Sequence, residues 1–218
     1  MRKLVLLSDI SKCNSLLEEK IGELLNGNSL KLGYIPSQTD KNRKYFKKAK
    51  VFFERMGFKD FLYFDVDSEY DESLIDQLIT CDAIYLSGGN TFSFLKSLKS
   101  KQMLPLLRDV VDSGKVLIGV SAGSILMSKT IRIAEYIDEN TVELDDLSSL
   151  ALVDFDFMPH WEHKQHQEEK LFQEYYNKTL YTCSDGDGII IMGEQMYFCG
   201  DISEIREGKI KPVWCKQH

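Results

Sequence analysis

The sequence predicts an α/β fold, a mostly parallel, doubly wound sheet with a short antiparallel C-terminal extension. Short apolar runs alternate with amphipathic segments through the first two-thirds of the chain, the pattern of repeated βαβ units. Two of those runs end in glycine-rich turns, Ser87-Gly88-Gly89-Asn90 and Gly119-Val120-Ser121-Ala122-Gly123. Beyond Ile131 the texture changes to brief apolar runs punctuated by Gly186, Gly188, Gly193, Gly200 and Gly208, as in successive hairpins.

Taken in order, Leu4 to Leu7 is a continuous apolar run and reads as a buried first strand. Leu16 to Leu25 has helical spacing and is closed by Gly27. Leu30 to Ile35 is a second strand, stopped by Pro36. Asp40 opens a basic helix to Met56, with Phe46, Val51, Phe52 and Phe53 among its apolar positions. A strand at Phe61 to Phe64 and a helix at Glu72 to Ile79 follow. Ala83 to Leu86 is a strand, Thr91 to Leu98 and Leu104 to Val111 are helices, and Val116 to Val120 is the next strand. Glu143 to Ser149 reads as an acidic loop, Val153 to Met158 as a strand and Glu168 to Tyr176 as a helix. Short strands are expected around Leu180, Ile189, Met196 and Ile210. With no linker, repeat or low-complexity segment in view, one domain spanning 1–218 is expected.

The 218 residues carry a net charge of −7, which argues against a nucleic-acid or anionic-membrane partner. The run after Met1-Arg2-Lys3 is too short for a signal-peptide core, and no run has the length of a membrane span. Five scattered cysteines (Cys13, Cys81, Cys183, Cys199 and Cys215) form no C-x-x-C pair, as in proteins of a reducing cytoplasm. Cys13, near the start of the first helix, reads either as a reactive thiol or as a small half-buried side chain.

The chemistry concentrates in the G-x-S-x-G run at 119–123, between an apolar strand and Ser124-Ile125-Leu126-Met127, which opens a helix. A serine on so tight a turn has its hydroxyl pushed into the open, while small neighbours let the backbone pass close by. Ser121 is therefore the candidate nucleophile, the alternatives being a plain tight turn or an anion-binding loop. Such a hydroxyl needs a base. His160 follows Met158-Pro159 at the carboxyl end of an expected strand, where active sites of open sheets gather. It is preferred over His163 and His166, which fall at the start of a polar helix, and over the terminal His218. The three clustered histidines do not converge on one helix face, so no metal is expected, and no cofactor motif is present. The Ala122 N–H is one candidate oxyanion donor; Gly88-Gly89-Asn90 offers a second, or is turn chemistry alone or a phosphate cradle at a helix N-terminus.

Ser87-Gly88-Gly89-Asn90-Thr91-Phe92, Gly119-Val120-Ser121-Ala122-Gly123 and Met158-Pro159-His160, in that order, resemble the peptidase E (dipeptidase E) and cyanophycinase family of serine peptidases. The resemblance implies a flavodoxin-like fold of the class I glutamine amidotransferase type. It implies Ser121 as nucleophile, His160 as base, Gly89 and Ala122 as oxyanion donors, and a short peptide as substrate. In peptidase E an aspartate shortly after a Thr-Ile-Arg segment completes the triad. Here Thr130-Ile131-Arg132 is followed by Glu135, Tyr136 and Asp138, so Glu135 is the expected third member and Asp138 the runner-up, with a Ser–His dyad or solvated loop charges as alternatives. The family's arginine after the histidine, which holds an aspartyl side chain, has no counterpart before Arg206, and the residue preference stays open. Asn90 and Arg132 are the candidate substrate-binding residues. An esterase or amidase, an isoaspartyl peptidase and a catalytically degenerate binding module are the competing functions. The oligomeric state, with a homodimer in view, is open.

Overall fold

The computed structural model describes residues 1–11, 13–25, 29–161 and 165–213, with the backbone alone for 165–168. Strands β1 (Lys3–Leu7), β2 (Leu30–Ile35), β3 (Phe58–Tyr63), β4 (Ala83–Leu86) and β5 (Val116–Val120) run parallel in the order β3-β2-β4-β5-β1. The middle strands are apolar without alternation because both of their faces are covered. Side-chain alternation sends Leu4 and Leu6 of β1 into one core and Val5 and Leu7 into the other. Helices α3 (Ile75–Ile79), α4 (Thr91–Ser100) and α5 (Met103–Asp112) fill the first with Leu78, Phe92, Phe94, Leu95, Leu98 and Leu107. Helices α1 (Ser15–Leu24) and α2 (Lys44–Glu54) fill the second with Leu17, Ile21, Phe52 and Phe53.

The order of elements follows the expectation but for an added strand at Ile202–Arg206 and a 3₁₀ turn at Arg132–Tyr136, and the boundaries shift for local reasons. Asp40 does not lie in α2. Its carboxylate accepts the N–H groups of Tyr45 and Phe46, and Arg43 turns left-handed (φ 54°) just before the helix. Strand β3 begins three residues earlier than expected. At the sheet edge its Lys59 and Asp60 face solvent and break the apolar run that marks the inner strands. The Leu152 and Val153 N–H groups bond to Met127 O, so strand β6 is confined to Asp156–Met158.

The C-terminal extension divides. Strands β8 (Gly188–Met192) and β9 (Gln195–Cys199) add antiparallel to β1 and complete a seven-stranded sheet. Strands β7 (Leu180–Cys183), β10 (Ile202–Arg206) and β11 (Lys209–Val213) form a second sheet with β6, in the order β11-β10-β7-β6. In that sheet β6 and β7 are parallel. The fold is thus a mostly parallel central sheet with short antiparallel C-terminal strands, of the flavodoxin-like, class I glutamine amidotransferase type. No described helix is long and apolar enough to cross a membrane.

Candidate active site

Strand β5 ends at Val120 and α6 (Ala122–Ile125) begins two residues later, leaving Ser121 alone to make the turn. Its φ of 52° and ψ of −114° lie outside the regions open to an ordinary side chain. The surroundings enforce that geometry. The Ser121 N–H donates to Leu7 O at 2.9 Å, and its carbonyl accepts from Ser124 and Ile125. Gly123 packs so closely on β4 that a Cβ there would lie 2.2 Å from Leu86 O. The buried Ser124 hydroxyl accepts the Leu7 N–H at 2.9 Å and reaches the carbonyls of Leu7 and Gly119, its one proton serving either.

His160 follows β6 and Pro159 with a left-handed backbone, φ 57°. Its N–H donates to Ser8 Oγ at 2.8 Å, and the next N–H, of Trp161, donates to Cys183 O at the end of β7. So held, the imidazole presents Nε2 2.9 Å from Ser121 Oγ and Nδ1 2.6 Å from Asp185 Oδ1. Asp185 sits two residues beyond β7, on a turn closed by a hydrogen bond from Asp187 N to Ser184 O. Ser121, His160 and Asp185 thus stand just past the carboxyl ends of β5, β6 and β7. The His160 side chain is 38% exposed and that of Asp185 52%, so the site is open to solvent.

The carboxylate beside the imidazole is Asp185, whereas the expected third members, Glu135 and Asp138, lie elsewhere. Glu135 lies on the exposed side of a 3₁₀ turn, Arg132–Tyr136, whose buried positions are Ile133 and Ala134. Asp138 accepts the Thr91 N–H at 2.8 Å and the Thr91 hydroxyl at 2.6 Å, where the N-terminal end of α4 favours a negative charge. Arg132 is exposed on the same turn as Glu135. Asn90 caps α4 by accepting the Ser93 N–H and donates to Glu139 O.

The Gly88-Gly89 turn stands against the elbow, and a Cβ on Gly88 would be 3.3 Å from Ser121 Cβ. Ser37 Oγ and Ser87 Oγ both donate to Gly88 O, at 2.7 and 3.0 Å. In a trans peptide the N–H opposes the carbonyl, so these bonds turn the Gly89 N–H away from Ser37. Gly89 has a φ of 138° and no room for a side chain: a Cβ would lie 2.1 Å from Ser37 Oγ. Among the described residues neither the Gly89 nor the Ala122 N–H has an acceptor.

The acidic segment after Asp138 is strapped to α4 rather than hanging free. Lys96 Nζ donates to Val142 O, Lys99 Nζ to Asp146 O, and Asn90 to Glu139 O. Among the described residues no group of three or more His, Cys, Asp or Glu is arranged to hold a metal ion. His163 and the side chain of His166 lie outside the described residues, as do Cys215 and His218. Cys183 is buried beneath the site, and burial pushes its thiol well above the usual range.

Ser8, Ser37, Ser87, Ser124 and Asp185 are the site residues that sequence reasoning missed. Asp185 carried a signal, because it follows an expected strand in an Asp-Gly-Asp-Gly run, the same strand-end position that singled out His160. The four serines carried none, since a hydroxyl's partners are set by packing between distant segments.

A serine on a strained strand-to-helix turn, in an open parallel sheet with a histidine at hydrogen-bonding distance, defines the serine-hydrolase class. Comparison with known proteins narrows the class. The model of peptidase family S51 matches residues 4–198, and the chain belongs to that family. It is accordingly a serine-type peptidase, a hydrolase of the peptidase E kind. It is 32% identical over 137 residues to an uncharacterized peptidase of Listeria monocytogenes, covering 61% of this chain and 67% of that one. A second uncharacterized peptidase, from Pasteurella multocida, is 30% identical over 166 residues, 74% of this chain and 78% of its own. Among solved structures, a Listeria monocytogenes protein assigned to peptidase E superposes with a TM-score of 0.75 at 25% identity, covering 98% of this chain and 99% of the other. A peptidase from an acI-B1 Actinobacterium shares the fold, with a TM-score of 0.70 over 100% of this chain and 96% of its own, at 16% identity.

Proposed function

We propose that the chain hydrolyses short peptides through a Ser121–His160–Asp185 acyl-enzyme mechanism. The observation that carries this reading is the continuous relay from Ser121 Oγ to His160 Nε2 (2.9 Å) and from His160 Nδ1 to Asp185 Oδ1 (2.6 Å). A carboxylate on Nδ1 favours the tautomer with the proton there, which leaves Nε2 free to take the serine proton. Ser121 Oγ adds to the peptide carbonyl as its proton passes to Nε2, and the carbonyl electrons move onto oxygen. The Gly89 and Ala122 N–H groups hold that oxyanion. Collapse expels the amine, which takes the proton from Nε2, and water then repeats the cycle on the ester. Asp185 carries no proton in either half; it fixes the ring and steadies the imidazolium.

We read the chain as one domain acting in the cytoplasm on short peptides, with no cofactor. The preference for the residue before the scissile bond is left to experiment. Arg132 is exposed on its turn, and Arg206, the next arginine in sequence, lies at the far end of β10. The test is turnover of a di- to pentapeptide library, with Asp-X members, by the purified protein and its Ser121→Ala variant, read by mass spectrometry. Cleavage that vanishes in Ser121→Ala supports the mechanism, and the cleaved set defines the preference. A folded protein that cleaves no member and reacts with no fluorophosphonate overturns it.

A further inference from the structure

We propose that Ser8 is a positioning residue for the reaction: its buried hydroxyl couples the backbone of His160 to the carboxylate of Asp185 and sets the direction of every proton in the relay. The inference rests on the Ser121–His160–Asp185 mechanism given above. Ser8 follows directly on β1, its side chain is buried, and its own N–H is held by Asp187 O at 3.1 Å. The hydroxyl is 2.8 Å from the His160 backbone nitrogen and 2.8 Å from Asp185 Oδ1.

The polarity of this arrangement is forced. A backbone N–H only donates, so Ser8 Oγ accepts from His160. The single hydroxyl proton is then directed at Asp185 Oδ1, which must accept it. Oδ1 is also the atom 2.6 Å from His160 Nδ1. With the Ser8 proton directed at it, Oδ1 carries no proton of its own and can only accept from Nδ1, which selects the Nδ1–H tautomer of the ring and leaves the Nε2 lone pair for Ser121. The same hydroxyl steadies the left-handed backbone of His160, a conformation that persists only where its surroundings over-determine it. Residue 7 makes the complementary contact, because Leu7 O accepts the Ser121 N–H. The end of β1 therefore touches all three members of the relay, although Ser8 lies 152 residues from His160 and 177 from Asp185 in sequence.

The test compares Ser8→Ala, Ser8→Cys and Ser8→Thr with the native protein. Cysteine keeps the packing with a poor hydrogen-bonding group, and threonine keeps the hydroxyl. Two readouts are used, the pH dependence of fluorophosphonate labelling at Ser121 and the proton NMR signal of the His160 Nδ1–H. Thermal melting establishes the folded fraction. Expected is labelling slowed roughly tenfold or more in folded Ser8→Ala and Ser8→Cys, with partial rescue in Ser8→Thr. The acid limb of the labelling profile should move to higher pH, because a carboxylate relieved of Ser8 is a stronger acceptor for the imidazolium. The Nδ1–H signal should broaden or vanish with the hydroxyl. Labelling, acid limb and Nδ1–H signal all unchanged in folded Ser8→Ala overturn the positioning role. So does slowing that only tracks lost folding, with Ser8→Thr no better than Ser8→Ala. Failure of the native protein itself to label counts instead against the mechanism, and the NMR comparison then still decides what Ser8 does to the imidazole.

Discussion

Asp185 Oδ1 lies 2.6 Å from His160 Nδ1, while of the carboxylates expected in that role Glu135 stands exposed on its turn and Asp138 is bonded to Thr91. Substitution separates the two assignments. Asp185→Asn offers the ring a group that donates as readily as it accepts, stabilising the wrong tautomer, and kcat should fall about 10²-fold or more with little change in KM. Glu135→Gln, on an exposed turn, should leave kcat within about twofold. Steady-state kinetics on any peptide that the native protein cleaves is sufficient. A large loss in Glu135→Gln with Asp185→Asn near native would return the third position to the segment after Arg132.

The contrast marks how far the sequence carries. The parallel strands were readable because a strand covered on both faces is a continuous apolar run, as in Leu4 to Leu7 and Val116 to Val120. Ser121 was readable because its chemistry and its strained turn are written in five consecutive residues. Asp185 was not singled out, since its place beside His160 depends on β6 pairing parallel with β7, a contact between segments joined through a helix. Resemblance pointed to the segment after Thr130-Ile131-Arg132, and there the acid that does make contacts, Asp138, serves α4. The division of the C-terminal strands between two sheets is equally a matter of long-range pairing.

The elbow should tolerate no side chain at Gly123. A Cβ there would sit 2.2 Å from Leu86 O and 2.7 Å from Leu86 C, backbone atoms of a central strand that cannot give way. Gly123→Ala should lower stability by about 1–3 kcal/mol or more and displace Ser121 as well. Gly22→Ala is the counter-case: within α1 nothing lies within 4 Å of the added Cβ, so relief of backbone entropy should raise stability by about 0.5–1 kcal/mol. Urea midpoints of the two variants should move in opposite directions, and a shared direction would show that the elbow has slack.

Cys13 should behave as an inert side chain. Burial raises its thiol to about 12, with the negative charges of Glu18 and Asp9 adding to the effect. Near pH 8 its thiolate fraction is then about 10³-fold below that of an ordinary cysteine, and alkylation slows in proportion. Iodoacetamide labelling followed by peptide mass spectrometry measures this directly. Modification of the folded protein at the rate of a free thiol would mean that Cys13 is far more open than its packing indicates.

Asp156 gives the fold a pH dependence opposite in sign to that of most carboxylates. Burial raises its folded-state pKa, Glu174 adds to the rise, and the Tyr175 hydroxyl, 2.8 Å away, with Lys178 and Lys129 opposes it. A carboxyl whose pKa is higher folded than unfolded binds its proton more tightly in the native state. Its contribution is fully present below the ordinary carboxylate range and is lost as pH rises through the raised value. At neutral pH the ionised group therefore weighs against the fold. Asp156→Asn keeps an acceptor for the Tyr175 hydroxyl and removes the charge, so the variant should gain on the native protein from about pH 4 upward and hold that gain at pH 7. Urea midpoints measured across this range test it, and a native protein that stays the more stable at pH 7 would mean that the Tyr175 and lysine contacts outweigh the cost of burial.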